Sequence, residues 1–200
     1  MRKFSSNDYR RMPWKNGGGV TTQLAIWPED ADLSSFDLRI STADIAKPGP
    51  FSLFAGCDRS LAVLRGAGIA LEFDGLSATI LTPSNLPLRF GGEQQVRAAL
   101  LDGPVTDFNI ISRRSRWSHT LERLALNDKL RRAINADRMF VYCAQGGAVQ
   151  IRLPSGKTVD CAEGNAVMLD ASDGAHADFS ASSSLLYLAR FTAKGNTHAE

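Results

Sequence analysis

Two stretches of this 200-residue chain match without a gap at an offset of 80 residues. Leu61-Ala62-Val63-Leu64-Arg65-Gly66-Ala67-Gly68-Ile69-Ala70-Leu71-Glu72-Phe73 stands against Val141-Tyr142-Cys143-Ala144-Gln145-Gly146-Gly147-Ala148-Val149-Gln150-Ile151-Arg152-Leu153. Each reads as a strand, a small-residue turn with glycine at the same place (Gly66, Gly146), and an alternating strand. Each then enters a glycine loop, at Gly75 and Gly156, and a further strand. A repeated supersecondary unit constrains the fold more than any single motif, because both copies have to close equivalent cores.

The rest of the chain has the same character. Val20, Thr22, Leu24 and Ile26 share one face of a period-two pattern, and Phe36, Leu38 and Ile40 oppose Asp37, Arg39 and Ser41. Leu186, Leu188 and Arg190 alternate with Tyr187, Ala189 and Phe191. Turn clusters punctuate these runs at Pro48-Gly49-Pro50, Phe73-Asp74-Gly75, Gly91-Gly92 and Pro154-Ser155-Gly156. Many short strands with regular turn signals predict an all-β chain. The best helical candidate is Asp128 to Asn135, with Leu130 and Ile134 on one side. The rhythm of strand, glycine, strand and later glycine turn is that of a cupin barrel. Two copies predict a bicupin, with two cupin-like β-barrel or jelly-roll halves packed together. The halves are expected at 1–112 and 113–200.

Several function classes are disfavoured. Formal net charge is +2, which gives no electrostatic case for nucleic acid or an anionic membrane. No apolar run follows Met1-Arg2-Lys3, and no stretch approaches the roughly 20 apolar residues of a spanning helix, so a cytoplasmic protein is expected. Cys57, Cys143 and Cys161 are far apart and lack a CxxC, and read as reduced structural residues. His119, His176 and His198 are isolated, so the HxH metal site of many cupins has no counterpart and neither metal nor cofactor is expected. Gly17-Gly18-Gly19 lacks the GK[ST] of a P-loop, and no GxSxG occurs. No catalytic residue is assigned. Arg113-Arg114-Ser115-Arg116 and Lys129-Leu130-Arg131-Arg132 read as solvated surface or contacts between halves.

What remains is a set of polar constellations. Trp14-Lys15-Asn16-Gly17-Gly18-Gly19 joins a flat apolar wall, a cation, an amide and three glycines whose N–H groups could form an anion-binding concavity. The bland reading of that stretch is a tight loop. Pro50-Phe51-Ser52-Leu53-Phe54-Ala55-Gly56-Cys57-Asp58-Arg59 ends an aromatic loop in an adjacent acid and base. Asp107 and Asn109 share one strand face, with Phe108 and Ile110 on the other. Either face could line a barrel.

At these same stretches the chain resembles the HutD/Ves family. Trp14-Lys15-Asn16-Gly17-Gly18-Gly19 with Thr21-Thr22 resembles its N-terminal signature. Arg39-Ile40-Ser41 with Ala43, then Gly49-Pro50-Phe51-Ser52 with Phe54, Gly56, Asp58 and Arg59, resemble the next two blocks. Gly103 with Asp107-Phe108-Asn109 and Arg113-Arg114 resembles a fourth. The blocks cover the first 115 residues or so. The resemblance implies a bicupin without metal histidines and a link to bacterial histidine degradation, while the Ves side of the family is tied to stress response. It implies a ligand such as urocanate or N-formylglutamate. Its pocket would draw on Lys15, Asn16, Phe51, Ser52, Arg59, Asp107 and Asn109, and the constellations above add Trp14, Gly17, Gly18, Phe54 and Asp58. Three functions fit these residues: a metal-free sensor of a small carboxylate, a metal-independent enzyme on such an acid with Asp58 or Asp107 as base, and a scaffold acting as homodimer or with a pathway protein. The sensor is favoured, because pocket-like residues are plentiful and acid–base machinery is not legible.

Overall fold

In the computed structural model of the chain, residues 1–74 and 76–195 are described. Gly75 and His198, singled out above, lie outside them. The alternating segments form strands: β1 (Arg2–Phe4), β2 (Arg10–Pro13), β3 (Gly19–Trp27), β4 (Leu38–Ile45), β5 (Gly49–Pro50), β6 (Cys57–Arg65), β7 (Ile69–Phe73), β8 (Thr79–Leu81), β9 (Leu88–Gly91) and β10 (Val96–Leu100). They continue with β11 (Val105–Arg113), β12 (Trp117–Leu126), β13 (Lys129–Ala133), β14 (Arg138–Gly146), β15 (Val149–Arg152), β16 (Thr158–Cys161), β17 (Ala166–Asp170), β18 (His176–Ser180) and β19 (Ser184–Ala193). The only helical elements among the described residues are single 3-10 turns at Ser6–Asp8 and Ala171–Asp173. Among the described residues no helix is long and apolar enough to cross a membrane.

Two compact units form, one from Tyr9–Trp117 and one from Met1–Asp8 with Ser118–Lys194. The first carries a six-stranded sheet of order β2-β3-β4-β11-β6-β9 and a four-stranded sheet of order β5-β10-β7-β8. The second carries sheets of order β1-β17-β14-β19-β12 and β13-β18-β15-β16. Adding eight to each strand number from β4 to β11 converts the first pair of sheets into the second. Each unit is thus one copy of the same eight-stranded, double-sheet topology, with β2 and β3 added to one and β1 to the other. The division lies at 117/118 rather than 112/113. Arg113 reaches back to the Phe36 carbonyl and Arg116 to Asp37, which ties the turn after β11 to the first unit. Residues 1–8 join the second unit because β1 pairs antiparallel with β17.

The repeated glycines have a shared physical cause. Gly66 directly follows β6 and Gly146 ends the equivalent strand β14, and both have positive φ, +94° and +102°. A Cβ on Gly66 would sit 2.5 Å from the Pro104 carbonyl oxygen, and one on Gly146 would overlap the Ser183 carbonyl oxygen. In each unit the hairpin backbone therefore presses on the residue just before the last strand, a place only glycine fits.

Two local expectations fail. Asp128 to Asn135 is not a helix: Lys129–Ala133 is strand β13, paired with β18, and Arg131 opposite Asp178 makes a forked ion pair to it. The three-four spacing of Leu130 and Ile134 misleads because Ile134 lies just past the strand end. In β3 a bulge between Gln23 and Ala25 breaks the simple alternation, so that Leu24 and Ala25 are both buried.

The second unit is filled by a large apolar core that includes Met139, Val141, Leu186, Leu188 and Phe179. In the first unit the apolar core, which includes Ile45, Leu61, Val63, Ile69 and Leu71, occupies only part of the space between sheets. A cavity of about 310 Å³ takes another part.

Gly146→Ala should lower unfolding free energy by more than about 2 kcal/mol, combining left-handed strain with overlap. Gly156→Ala, at φ +85° but with open space around it, should cost only about 1–2 kcal/mol. Urea unfolding of the two variants measures the difference; equal losses would contradict the close approach.

Candidate functional site

The cavity is built on the inward face of β4, β6 and β11. Register aligns three rungs across these strands. Arg39 and Arg59 flank Ile111, Ser41 and Leu61 flank Asn109, and Ala43 and Val63 flank Asp107. Alternation then places Arg39, Ser41, Ala43, Arg59, Asp107 and Asn109 toward the same space. Trp14, Lys15, Asn16 and Thr21 contribute a second wall, and Pro50, Phe51, Ser52 and Phe54 a third.

Charge is concentrated on the floor. Arg39 is 6% exposed, Arg59 4% and Asp107 3%. Burial lowers the Arg59 pKa to about 10 against the opposing pull of Asp107, and burial likewise lowers that of Arg39. Burial pushes the Asp107 carboxyl up to about 7, with Arg59 as the main opposing influence. Arg59 Nη1 donates to the Ser52 carbonyl at 3.1 Å, and the guanidinium faces the rings of Phe51, Phe90 and Phe54 at 5.1, 5.1 and 5.7 Å. Arg39 Nε donates to Gln23 Oε1 at 3.2 Å. These contacts leave gaps. Arg59 Nε, Asp107 Oδ1 and Asn109 Oδ1 are buried and have no hydrogen-bond partner among the described residues.

The glycine-rich loop does something other than cradle an anion. Gly17 N donates to the Trp14 carbonyl and Gly18 N to Asn16 Oδ1, so two candidate anion donors are spent within the turn. Gly17 and Gly18 do not line the cavity. Gly19 is required by crowding: a Cβ there would lie 2.5 Å from the Asp44 carbonyl oxygen and 3.2 Å from the Trp14 ring. The loop holds Trp14 in place as a wall, its Nε1 donating to Thr21 Oγ1 at 2.8 Å, and leaves Lys15 exposed at the rim.

Of the twelve residues expected at the site, Trp14, Lys15, Asn16, Phe51, Ser52, Phe54, Arg59, Asp107 and Asn109 line the cavity together. Asp58 does not. It is the strand neighbour of Arg59, so it points to the opposite face, where it accepts from Arg89 Nη2 at 2.9 Å and Arg114 Nε at 2.7 Å. Arg39, Ser41, Ala43 and Thr21 are lining residues that sequence reasoning left without a role. The signal for Arg39 was present: a cation alternating with Leu38 and Ile40 in mid-strand is either solvent-facing or set in a polar interior. Among the described residues no group of three or more His, Cys, Asp or Glu side chains is gathered as a metal site.

The second unit supplies a comparison within the same chain. At the places of Arg59, Asp107 and Asn109 in the pairing scheme stand Met139, Leu186 and Leu188, all fully buried. The same topology closes there on an apolar core, so the polar set is not needed to build it.

Asp107 also makes stability pH-dependent. Its folded pKa of about 7 exceeds the ordinary value of 3.8, so the folded state holds the proton more tightly than the unfolded chain. Stability is therefore lost as pH rises from about 4 to 7 and the full cost stands above 7. Asp107→Asn cannot titrate. Its stability relative to the parent should rise by on the order of 2–4 kcal/mol between pH 4 and pH 8 in urea unfolding. A pH-independent difference would contradict the buried carboxyl.

Comparison with known proteins gives consistent matches. The family model described as HutD matches residues 6–187. An uncharacterized 21.2 kDa protein in the hutC 3' region of Pseudomonas putida is 42% identical over 122 residues, covering 61% of this chain and 63% of that protein. Protein Ves of Citrobacter koseri is 38% identical over 114 residues, covering 54% of this chain and 58% of its own length. The chain thus spans about three-fifths of the length of these curated relatives. A conserved protein of unknown function from Pseudomonas aeruginosa PAO1 superposes with a TM-score of 0.88 at 31% identity, over 96% of this chain and 98% of the other. HutD from Pseudomonas fluorescens SBW25, in a formate condition, superposes with a TM-score of 0.82 at 30% identity, over 97% and 99%. A cupin 2 conserved barrel domain protein from Leptotrichia buccalis, with a TM-score of 0.56 at 11% identity over 92% and 96%, shares the fold.

Proposed function

The chain belongs to the HutD family, and from that premise we propose that it binds a small carboxylate of the urocanate or N-formylglutamate kind in the regulation of histidine utilisation. The observation that carries the proposal is Arg59: a guanidinium buried at the floor of a cavity with its Nε–H unpaired and facing aromatic walls. Arginine suits a planar carboxylate because its fork offers parallel donors. Arg39 and Lys15 add positive charge along the same cavity, against one acid, Asp107. A volume of about 310 Å³ lies at the small end of the range for ligand sites. The pathway comes from the names of relatives, HutD itself and a protein of the hutC 3' region.

Isothermal calorimetry with urocanate and N-formylglutamate tests this. Binding by one of them should weaken at least about tenfold in Arg59→Ala, since a charge-assisted hydrogen bond to a buried guanidinium is removed. No heat with either acid, or undiminished binding in Arg59→Ala, would contradict it.

One observation favours a second reading. A buried carboxyl with a pKa near 7 beside cations is also how a general base is prepared. On that reading Asp107 removes a proton from the bound acid and Arg59 stabilises the resulting charge. NMR of urocanate and N-formylglutamate incubated with the protein should then show turnover that Asp107→Asn abolishes; persistence of both acids leaves binding alone.

A further inference from the structure

The three unpartnered buried atoms are not of one kind. Arg59 Nε–H is a donor, whereas Asn109 Oδ1 and the Oδ1 of an ionised Asp107 are acceptors. A plain carboxylate answers only the first. It brings further acceptors to Asn109 and like charge to Asp107, and leaves both buried oxygens without a proton to accept.

The acceptors are also set apart from the cations along the sheet. Asp107 and Asn109 lie two residues apart on β11, hence on one face and about 7 Å from each other along the strand. Arg39 and Arg59 oppose Ile111, one step further on. A ligand lying along β11 meets the cationic rung, then the amide, then the acid. Fold closure does not demand these acceptors, because the second unit has Leu186 and Leu188 in their places.

Resting on the carboxylate reading above, we propose that the ligand is a carboxylic acid carrying an N–H or O–H donor at its far end. Its carboxylate lies against Arg59, and its donor lies against Asp107 and Asn109. The two acceptors are then the specificity-determining residues. An acid of the same size with an apolar or acceptor-only tail leaves them unpaired, and polar sites discriminate strongly against such analogues.

Calorimetry on the full chain at about pH 8, where Asp107 is ionised, compares urocanate with furylacrylate. Both have a five-membered ring joined to an acrylate; only urocanate has a ring N–H. Urocanate should bind at least about tenfold tighter. In Asp107→Leu and Asn109→Leu, which copy the residues of the second unit, that ratio should fall toward one while furylacrylate still binds. Equal affinities in the parent protein overturn the donor requirement and leave the carboxylate site standing; this comparison needs no variant to fold. If neither of these acids nor N-formylglutamate binds, the carboxylate reading fails and the donor requirement fails with it.

Discussion

Taking a guanidinium or a carboxylate out of water costs several kcal/mol per ion unless the protein replaces what hydration supplied. The first unit buries two guanidiniums on one rung of a sheet and a carboxylate two rungs away on the same face, and much of its local structure answers that cost. Phe51, Phe54 and Phe90 present ring faces to Arg59. The Ser52 carbonyl and Gln23 Oε1 accept from Arg59 and Arg39. Asp107 attracts both cations while its own burial raises its proton affinity. Compensation is left incomplete at Arg59 Nε, Asp107 Oδ1 and Asn109 Oδ1, all bordering the same cavity. Unsatisfied buried groups are rare in folded proteins, and here three of them border one cavity.

Duplication within the chain separates what the fold needs from what the site needs. Both units share strand order, the crowded positive-φ glycine at the end of the equivalent strands β6 and β14, and apolar packing around the hairpin. They part at the rungs where Arg59, Asp107 and Asn109 in one unit stand for Met139, Leu186 and Leu188 in the other. Buried polar groups replaced by apolar residues of similar volume commonly leave a protein as stable or more so. The polar set is therefore not required by the topology, which the second unit builds without it.

Much of this was legible in the residues. The ungapped match around Gly66 and Gly146 follows from backbone geometry that side chains cannot replace, which is why it survived in both copies. Asp107 and Asn109 were identifiable as a pair on one face, but alternation alone cannot say which face is inside when Phe108 and Ile110 on the other face are buried too. Arg39 went unassigned for the same reason: strand β4 is covered on both faces, so its polar face reads as solvent-facing. Asp58 was placed in the pocket by its adjacency to Arg59, yet neighbours along a strand point apart. The three glycines suggested an anion cradle, whereas Asn16 and Trp14 consume the donors of Gly18 and Gly17. Lys129–Ala133 carried too few apolar residues for its period to be read, and only pairing with β18 settles it.

The functional account rests on the first unit having exchanged stability for a charged cavity that a ligand completes. The most direct test transplants the second unit's solution into the first, as Arg59→Met, Asp107→Leu and Asn109→Leu together, and measures unfolding free energy and urocanate binding on the same sample. The account predicts a folded protein at least as stable as the parent, with binding abolished. A variant that unfolds the first unit, or one that keeps the parent's affinity, would contradict it.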